Sequence, residues 1–276
     1  MQCHFVKMQG LGNDFVVLDL RARELPLEPA RLARLADRRY GVGCDQILVL
    51  DAPTLADAAV RYRVFNADGT RAEHCGNGVR CVARYLQLRG EADTGALNVQ
   101  IGERSYRLDL LGDGEVRVEM GVPVFTPAHI PLAGENEAAH YELKFEDRTF
   151  VFGAVSMGNP HAVFRVDDIE TAPVASLGAF LQAHPLFPAR VNAGFLQITD
   201  ARHARLRVFE RGAGETPACG TGACAAVAVG RLWGLLEPEV LVTLRGGQLR
   251  IEWAGPGSIL YMTGPAEEVF EGNIAL

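Results

Sequence analysis

Two cysteines in this chain each open the pattern Cys-Gly-x-Gly, as Cys75-Gly76-Asn77-Gly78 and as Cys219-Gly220-Thr221-Gly222. Each cysteine follows a polar loop and precedes a segment that is predicted to be helical. The first N–H groups of a helix have no intrahelical partner and favour negative charge. We therefore expect each sulfur to ionise below the pKa of a free thiol, about 8.5. The glycines allow backbone N–H groups to approach an anion closely, so each element could hold a carboxylate.

Inverting an amino-acid α-carbon requires two proton-transfer groups on opposite faces of that carbon. One group removes the α-proton as a base, the other delivers a proton as an acid, and the roles exchange in the reverse reaction. The charge that develops spreads into the substrate carboxylate, which two helix N-termini can stabilise. The paired motifs therefore predict an amino-acid epimerase, with Cys75 and Cys219 as acid and base.

The other cysteines are Cys3, Cys44, Cys81 and Cys224. We predict that they are small buried residues, because a lone cysteine is usually structural. No Cys-x-x-Cys spacing occurs, so we predict no structural zinc and no other metal. A structural disulfide between Cys75 and Cys219 is an alternative that a reducing compartment disfavours.

The two cysteine motifs belong to a longer internal repeat. Arg61–Asn66 and Arg205–Glu210 both read Arg-x-Arg-Val-Phe and then a polar residue, and in each copy the cysteine follows ten residues after the Phe. Gly12–Val17 likewise matches Gly158–Val163. Four blocks recur in one order with an offset near 144 residues, which indicates a duplicated domain.

The repeat predicts an N-terminal half over residues 1–120 and a C-terminal half over residues 121–265. We expect the tail, 266–276, to pack on the first half, and the Pro-containing segment 123–139 to be an exposed connection. Each copy combines short alternating strands with one very apolar helix, which we place at 79–88 and at 222–236. These helices and strands predict an α/β (α+β) fold of two pseudo-symmetric domains. Each would be a curled, mostly antiparallel sheet around a central helix, with the active site in the cleft between them.

The composition restricts the kind of partner. The chain has 276 residues, 48% of them hydrophobic, and a formal net charge of −7. Nucleic acid and anionic membranes call for basic patches, so we expect neither and predict a small-molecule substrate. No apolar run approaches the roughly 20 residues that span a bilayer, and the N-terminus lacks a signal-peptide pattern. We therefore expect a cytoplasmic protein.

Polar residues beside the repeated blocks are candidate substrate contacts: Asn13, Gln46, Asn66, Asn159, Asn192, Glu210 and Arg211. A turn role is the better interpretation of most single loop asparagines. Their position beside both copies of the repeat instead favours a polar site lined by both halves. His161 alone would more often be structural, but beside a repeated block it could tune a thiol.

These motifs resemble the diaminopimelate epimerase family. The similarity is found in segments spread over nearly the whole chain: Gly10–Phe15, Phe65–Gly69, Cys75–Gly78, Met157–His161, Glu210–Thr216 and Cys219–Gly222. The resemblance implies two pseudo-symmetric α/β domains and no pyridoxal phosphate or other cofactor. It also implies interconversion of LL- and meso-2,6-diaminopimelate in lysine and cell-wall precursor biosynthesis, by a homodimer.

The resemblance further implies residue roles. Cys75 and Cys219 are the acid and base, supported by His161 and Glu210. The implied substrate-binding residues are Asn13, Gln46, Asn66, Gly76, Asn77, Asn159, Asn192, Glu210, Arg211, Gly220 and Thr221. An arginine suits the distal carboxylate of a substrate with two amino-acid heads, and a single-headed amino acid would leave these groups unpaired. Four residues depart from the family pattern: Gln9, Cys44, His74 and Phe270, the last standing where a tyrosine often supports the dimer.

Three other functions are open. Gly220–Ala225 fits the dinucleotide fingerprint Gly-x-Gly-x-x-Ala, with Glu239 near the spacing of a ribose contact. However, ten residues of loop follow Phe209, and the first copy does not preserve the fingerprint. A two-cysteine racemase of proline or hydroxyproline is a nearer alternative, disfavoured by the extended polar array. A catalytically inactive amino-acid-binding protein is the third.

Overall fold

The computed structural model of the chain describes residues 2–23, 25–72, 76–134 and 136–275. Cys75 and His74 lie outside the described residues. Within these ranges the chain forms 17 strands and four α-helices, together with a short 3₁₀ helix at Pro127–His129. The chain groups into two units, Met1–Glu119 with Thr263–Leu276, and Met120–Met262.

The elements in chain order are β1 (Gln2–Gly10), β2 (Asn13–Asp19), α1 (Pro29–Ala36), β3 (Gln46–Asp51), β4 (Val60–Asn66), α2 (Gly76–Leu88), β5 (Gly95–Ile101), β6 (Arg104–Leu110), β7 (Glu115–Gly121), β8 (Tyr141–Phe145), β9 (Arg148–Ser156), β10 (Pro160–Arg165), α3 (Val174–Leu181), β11 (Asn192–Asp200), β12 (His203–Glu210), β13 (Gly214–Thr216), α4 (Gly220–Leu232), β14 (Glu239–Leu244), β15 (Gly247–Trp253), β16 (Leu260–Pro265) and β17 (Glu267–Ala275).

The first unit is a mostly antiparallel sheet. Strands β1–β2, β3–β4, β5–β6 and β6–β7 pair antiparallel, and β17 pairs antiparallel with the other edge of β1. Strands β2–β3 and β4–β5 pair in parallel. A parallel pair needs a crossover connection, and α1 and α2 lie within these two crossovers.

The second unit repeats this pattern. Strands β8–β9, β9–β10, β11–β12, β12–β13 and β14–β15 pair antiparallel. Strands β10–β11 and β12–β14 pair in parallel, with α3 and α4 in their crossovers. From β9 to β15 the order of strands, helices and pairing directions matches that from β1 to β6, with β13 as an additional strand. This agreement confirms the predicted α/β class and the duplication.

Helices α2 and α4 each bury ten of their 13 residues. Helix α4 contacts β9, β10, β11, β12 and β15, and α2 contacts β1, β2, β6 and β17. Because each helix touches strands from distant parts of its own sheet, the sheet curves around the helix. The apolar composition predicted this burial for α4. In α2 even Arg80 is fully buried, and its Nε donates to the Pro265 carbonyl at 3.2 Å.

Both long helices differ from their predicted bounds. Each begins earlier than expected, because packing of the glycine-containing first turn outweighs its low helix propensity. Helix α4 ends at Leu232, four residues before the predicted end. Gly234 adopts φ +70°, its N–H bonds to the Arg231 carbonyl, and the Leu235 N–H bonds to Gly230. This Schellman motif stops the helix, and Gly90 ends α2 in the same way, with φ +71°.

The segment 123–139 is more than an exposed connection. Ile130 and Leu132 are buried at 0% and 5% exposure within the hydrophobic cluster of the second unit. The prediction of an exposed crossing is therefore wrong for this stretch. Apolar residues that follow the 3₁₀ helix cover the core there.

Candidate active site

Three strand ends bring the candidate residues of the second unit together. Strands β10 and β11 run in parallel, and His161 pairs in register with Asn192 near their first residues. Strand β12 runs antiparallel to β11 and ends at Glu210. Residues at the start of two parallel strands and at the end of an antiparallel neighbour lie along one edge of the sheet, so Asn159 and Arg211 also lie at this edge.

Cys219 is the N-cap residue of α4, with extended backbone angles of φ −124° and ψ 108°. Its Sγ donates to Glu210 Oε2 at 3.2 Å and lies 3.6 Å from the Thr221 hydroxyl. A Cβ added at Gly222 would lie 3.2 Å from this sulfur and 2.9 Å from Val208. The second glycine of the motif therefore leaves room for the sulfur of Cys219 itself.

The expected low pKa of Cys219 is wrong. Cys219 is only 4% exposed. Burial, and then the nearby Glu210 carboxylate, raise the pKa of Cys219 well above its usual value; the Thr221 hydroxyl and the Gly222 N–H oppose this without outweighing it. The helix N-terminus does not overcome desolvation here. Cys219 is consequently a protonated thiol at neutral pH, with Glu210 placed to accept its proton.

Hydrogen bonds link His161 to the cysteine motif. His161 Nε2 lies 2.9 Å from Asn159 Oδ1, and Asn159 Nδ2 donates to Thr221 Oγ1 at 3.3 Å. Thr221 in turn lies against Cys219. Burial and the charge of Arg211 lower the pKa of His161 to about 3. His161 is therefore neutral at physiological pH. It is linked to the Cys219 thiol through two intervening side chains, those of Asn159 and Thr221.

Asn192 is only 3% exposed and connects two backbone segments. Its Nδ2 donates to the Pro160 carbonyl at 3.0 Å, and its Oδ1 accepts from the Arg211 N–H at 2.9 Å. These contacts hold the backbone of Arg211 beside His161. The structure therefore gives Asn192, a predicted substrate contact, the role of positioning the backbone of Arg211.

The first N–H groups of α4 are oriented for an anion. The first intrahelical bond runs from the Ala223 N–H to the Cys219 carbonyl. The N–H groups of Gly220 and Thr221 precede it and have no carbonyl partner within the helix. They can donate to a carboxylate bound at this helix end.

The first unit holds its candidate residues at the equivalent edge. Asn77 Nδ2 donates to Asn13 Oδ1 at 3.3 Å, which corresponds to the bond between Thr221 and Asn159. Gln46 Nε2 donates to Asn66 Oδ1 at 3.2 Å. Helix α2 begins at Gly76, and Cys75 lies outside the described residues.

The two edges differ where protons could be exchanged. At the position of His161 the first unit has Phe15, since Phe15 pairs with Gln46 as His161 pairs with Asn192. At the position of Glu210 it has Asn66, at the end of β4. At these two positions the first edge therefore has a phenyl ring and a neutral amide, where the second has the imidazole and the carboxylate.

An ionic cluster that the sequence analysis missed supports Asn13. Asn13 Nδ2 donates to Asp45 Oδ2 at 2.9 Å. Arg38 bonds both Asp45 and Asp14, and the buried Lys7 ammonium bonds Asp14 at 2.7 Å and the carbonyl of Gly43. Asp14 has no acidic equivalent in the second copy, where Pro160 occupies its position. Comparing the copies for their differences would have indicated this cluster.

Asp14 should make the protein sensitive to acid. Burial acts to raise the pKa of Asp14, but hydrogen bonds from Arg38 and Lys7 outweigh it and hold this pKa well below its usual range. A depressed folded-state pKa adds stability above the unfolded value of about 3.9, and this stability is lost as pH falls toward the folded pKa. We expect the melting temperature of the parent to fall more steeply than that of Asp14→Asn between about pH 5 and pH 3.

Thermal melts at several pH values measure this difference. Glu103→Gln, at an exposed turn residue, is the control and should keep the parent's slope. If Asp14→Asn keeps the parent's slope as well, the cluster does not cause the acid sensitivity.

The other described cysteines are buried, as predicted. Cys3, Cys44, Cys81 and Cys224 are at most 2% exposed, and the five described cysteines are free thiols. Cys219 is almost equally buried. Cys219 is distinguished by the adjacent Glu210, whose Oε2 accepts a hydrogen bond from the Cys219 thiol.

The dinucleotide fingerprint does not have its required setting. Gly220–Ala225 lies inside α4, so its first two glycines belong to the first helical turn. The ten residues after Phe209 are not all loop, since they contain β13. This short strand is the antiparallel partner of β12, so it is not part of a parallel βαβ unit with it. The fingerprint needs a βαβ strand that leads into the glycine turn.

No helix in the described part of the chain is both long and apolar enough to cross a bilayer.

Known proteins resemble this chain over its whole length. The family model described as Diaminopimelate epimerase matches residues 5–126 and 153–269. The diaminopimelate epimerase of Alkalilimnicola ehrlichii is 54% identical over 278 residues, and that of Azoarcus sp. is 53% identical over 276 residues; both alignments cover 100% of each chain. A solved hydroxyproline epimerase from Agrobacterium vitis, with bound trans-4-hydroxy-L-proline, has a TM-score of 0.71 at 16% identity, covering 100% of this chain and 93% of that one. The last likeness shows a shared fold, whereas the family match and the whole-chain identity show that this chain belongs to the diaminopimelate epimerase family.

Proposed function

We propose that this chain interconverts LL- and meso-2,6-diaminopimelate by a two-base mechanism that uses cysteine side chains and no pyridoxal phosphate. The observation that carries the proposal is the 3.2 Å contact between Cys219 Sγ and Glu210 Oε2 at the N-terminus of α4. A thiol held against a carboxylate can deliver a proton to carbon and can also lose its proton to that carboxylate. The family membership supports the substrate.

In one direction, Cys75 acts as thiolate and removes the α-proton, and the electron pair left on carbon spreads into the substrate carboxylate. Cys219 then delivers its S–H proton to the opposite face. The products are the inverted amino acid, the Cys75 thiol and the Cys219 thiolate. In the other direction Cys219 is the base. Its thiol must first lose a proton, and Glu210 accepts that proton. General acid and base steps of this kind each contribute roughly 10²–10⁴ in rate.

The N–H groups at the starts of the two motif helices bind the carboxylate of the reacting centre in this proposal. Gly76 and Asn77 serve in the first unit, and Gly220 and Thr221 in the second. The polar side chains beside them recognise the rest of the substrate: Asn13, Gln46, Asn66, Asn159, Asn192 and Arg211. Arg211 is the group suited to the distal carboxylate, because a guanidinium binds a carboxylate in a bidentate manner.

The direct test is isotope exchange. The reduced enzyme with diaminopimelate in D₂O should replace the α-proton with deuterium and yield a mixture of LL- and meso-isomers, followed by proton NMR and chiral separation. No incorporation would contradict the mechanism. Incorporation into L-proline or trans-4-hydroxy-L-proline, but not into diaminopimelate, would favour the racemase alternative. Calorimetric binding of diaminopimelate without exchange would indicate an inactive binding protein.

Two further proposals rest on the resemblance. The chain acts in the cytoplasm, where reduced thiols persist, and it forms a homodimer.

Strand β17 supports the dimer, because Val269 and Phe270 on it are 55% and 48% exposed within the described chain. Sedimentation velocity measures the assembly, and a monomer at micromolar concentration would contradict the dimer.

A further inference from the structure

The Glu210 carboxylate contacts Thr216 as well as Cys219. Its hydroxyl donates to Glu210 Oε1, while Glu210 Oε2 accepts from Cys219 Sγ. Thr216 ends β13, which folds back antiparallel along β12 and places Thr216 opposite Val208 and Gly214 opposite Glu210. The two oxygens of this carboxylate are thus held by the hydroxyl on one side and by the thiol on the other.

The internal repeat supplies a comparison within the chain. The residue that corresponds to Thr216 in the first unit is Ala72, whose N–H bonds to the carbonyl of Val64, the counterpart of Val208. The counterpart of Glu210 is Asn66, which bonds Gln46 and Thr70 instead. The hydroxyl at this position therefore accompanies the carboxylate and is missing from the half that has an amide.

We propose that Thr216 is a positioning residue for the proton transfer at Cys219, because its hydroxyl turns Glu210 so that the second carboxylate oxygen faces the sulfur. The inference rests on the proposed function. The terminal torsion of a glutamate is broad and roughly two-fold, so an unrestrained carboxylate would rotate away from Sγ. A hydroxyl that donates to a carboxylate makes a strong, charge-assisted bond.

Kinetics of valine and serine variants test the role. Thr216→Val keeps the shape of the side chain but removes the hydroxyl, and it should lower kcat about tenfold, the lower end for loss of a hydrogen bond to a charged group. KM should stay within about twofold, because Thr216 positions Glu210 and does not bind substrate. Thr216→Ser should restore kcat to within about threefold of the parent. Thr199→Val is the matched control, since the Thr199 hydroxyl bonds the His203 carbonyl, and it should leave kcat unchanged.

The alkylation rate of Cys219 gives a readout that does not need activity. Glu210 raises the pKa of Cys219. Thr216→Val releases Glu210 from the sulfur, so iodoacetamide should label Cys219 several-fold faster in this variant. Cys224 should stay protected from labelling. In a Glu210→Ala background, Thr216→Val should change this rate less than twofold, because the group that it positions is gone.

Unchanged kcat in Thr216→Val, or an effect on labelling that persists in the Glu210→Ala background, would overturn the role. If the parent shows no exchange with diaminopimelate, the proposed function fails. The labelling rates still decide in that case whether Thr216 positions Glu210.

Discussion

Alanine at position 219 is expected to abolish inversion while leaving proton exchange on one face of the substrate. Removing the thiol removes the group that delivers the proton to the second face, so epimerisation should fall by about 10⁴-fold, the upper end for a general acid or base. The other cysteine can still remove and return a proton. In D₂O the Cys219→Ala variant should therefore incorporate deuterium into one isomer with retention of configuration.

Proton NMR combined with chiral chromatography separates exchange from inversion. Cys75→Ala should show the complementary behaviour, with retention in the other isomer. Cys224→Ala is the matched control, because Cys224 lies on the same helix and is fully buried. It should cost stability but keep kcat within about twofold. Inversion at the parent rate in Cys219→Ala would refute the two-base assignment.

Glutamine at position 210 is expected to change thiol reactivity and catalysis in opposite directions. The amide keeps the size of the side chain but cannot take up the thiol proton, so kcat should fall about 10²- to 10³-fold. The same change removes a negative charge beside Cys219, which contributes to the raised pKa of that thiol. Its pKa should therefore fall, and iodoacetamide should label Cys219 faster near pH 8.

Labelling of Cys224 is the control in this experiment, since loosening of the fold would expose both Cys219, at the N-cap of α4, and Cys224 within that helix. Slow labelling of Cys224 together with fast labelling of Cys219 isolates the electrostatic effect. Slower labelling of Cys219 in Glu210→Gln would contradict the proposed charge interaction. The first unit already has an amide at this position, Asn66, so the variant makes the two halves alike in this one functional group.

The duplication could be predicted because a repeat is a property of the chain itself. The offset near 144 residues in the sequence reappears in the pairs Phe15–Gln46 and His161–Asn192, and in the glycines, Gly90 and Gly234, that end the two long helices. The position of Cys219 at a helix N-terminus also followed from local sequence, because glycine and small apolar residues directly follow it. The end of α2 at Leu88 was predicted correctly, but that of α4 was not, since apolar residues continue past Gly234 and backbone geometry marks the stop.

The charge state of Cys219 could not be predicted from the motif. A helix N-terminus favours a thiolate, and sequence reasoning had only that effect to consider. The folded chain adds burial and the Glu210 carboxylate, and together they outweigh the helix. Similarly, the charges that orient Asn13 come from Lys7, Arg38 and Asp45, which are separated along the chain and meet only where β1, β2 and the residues before β3 pack together.

The amino-acid sequence by itself determined the two cysteine motifs, their repetition and the residue types available beside them, because these depend on spacing along one chain. Only the tertiary structure decided which carboxylate faces which sulfur. Glu210 and Cys219 meet because β13 turns the chain back along β12 before α4 begins. Such a contact depends on how a hairpin and a helix pack, and burial then sets the strength of the charge interaction by excluding water.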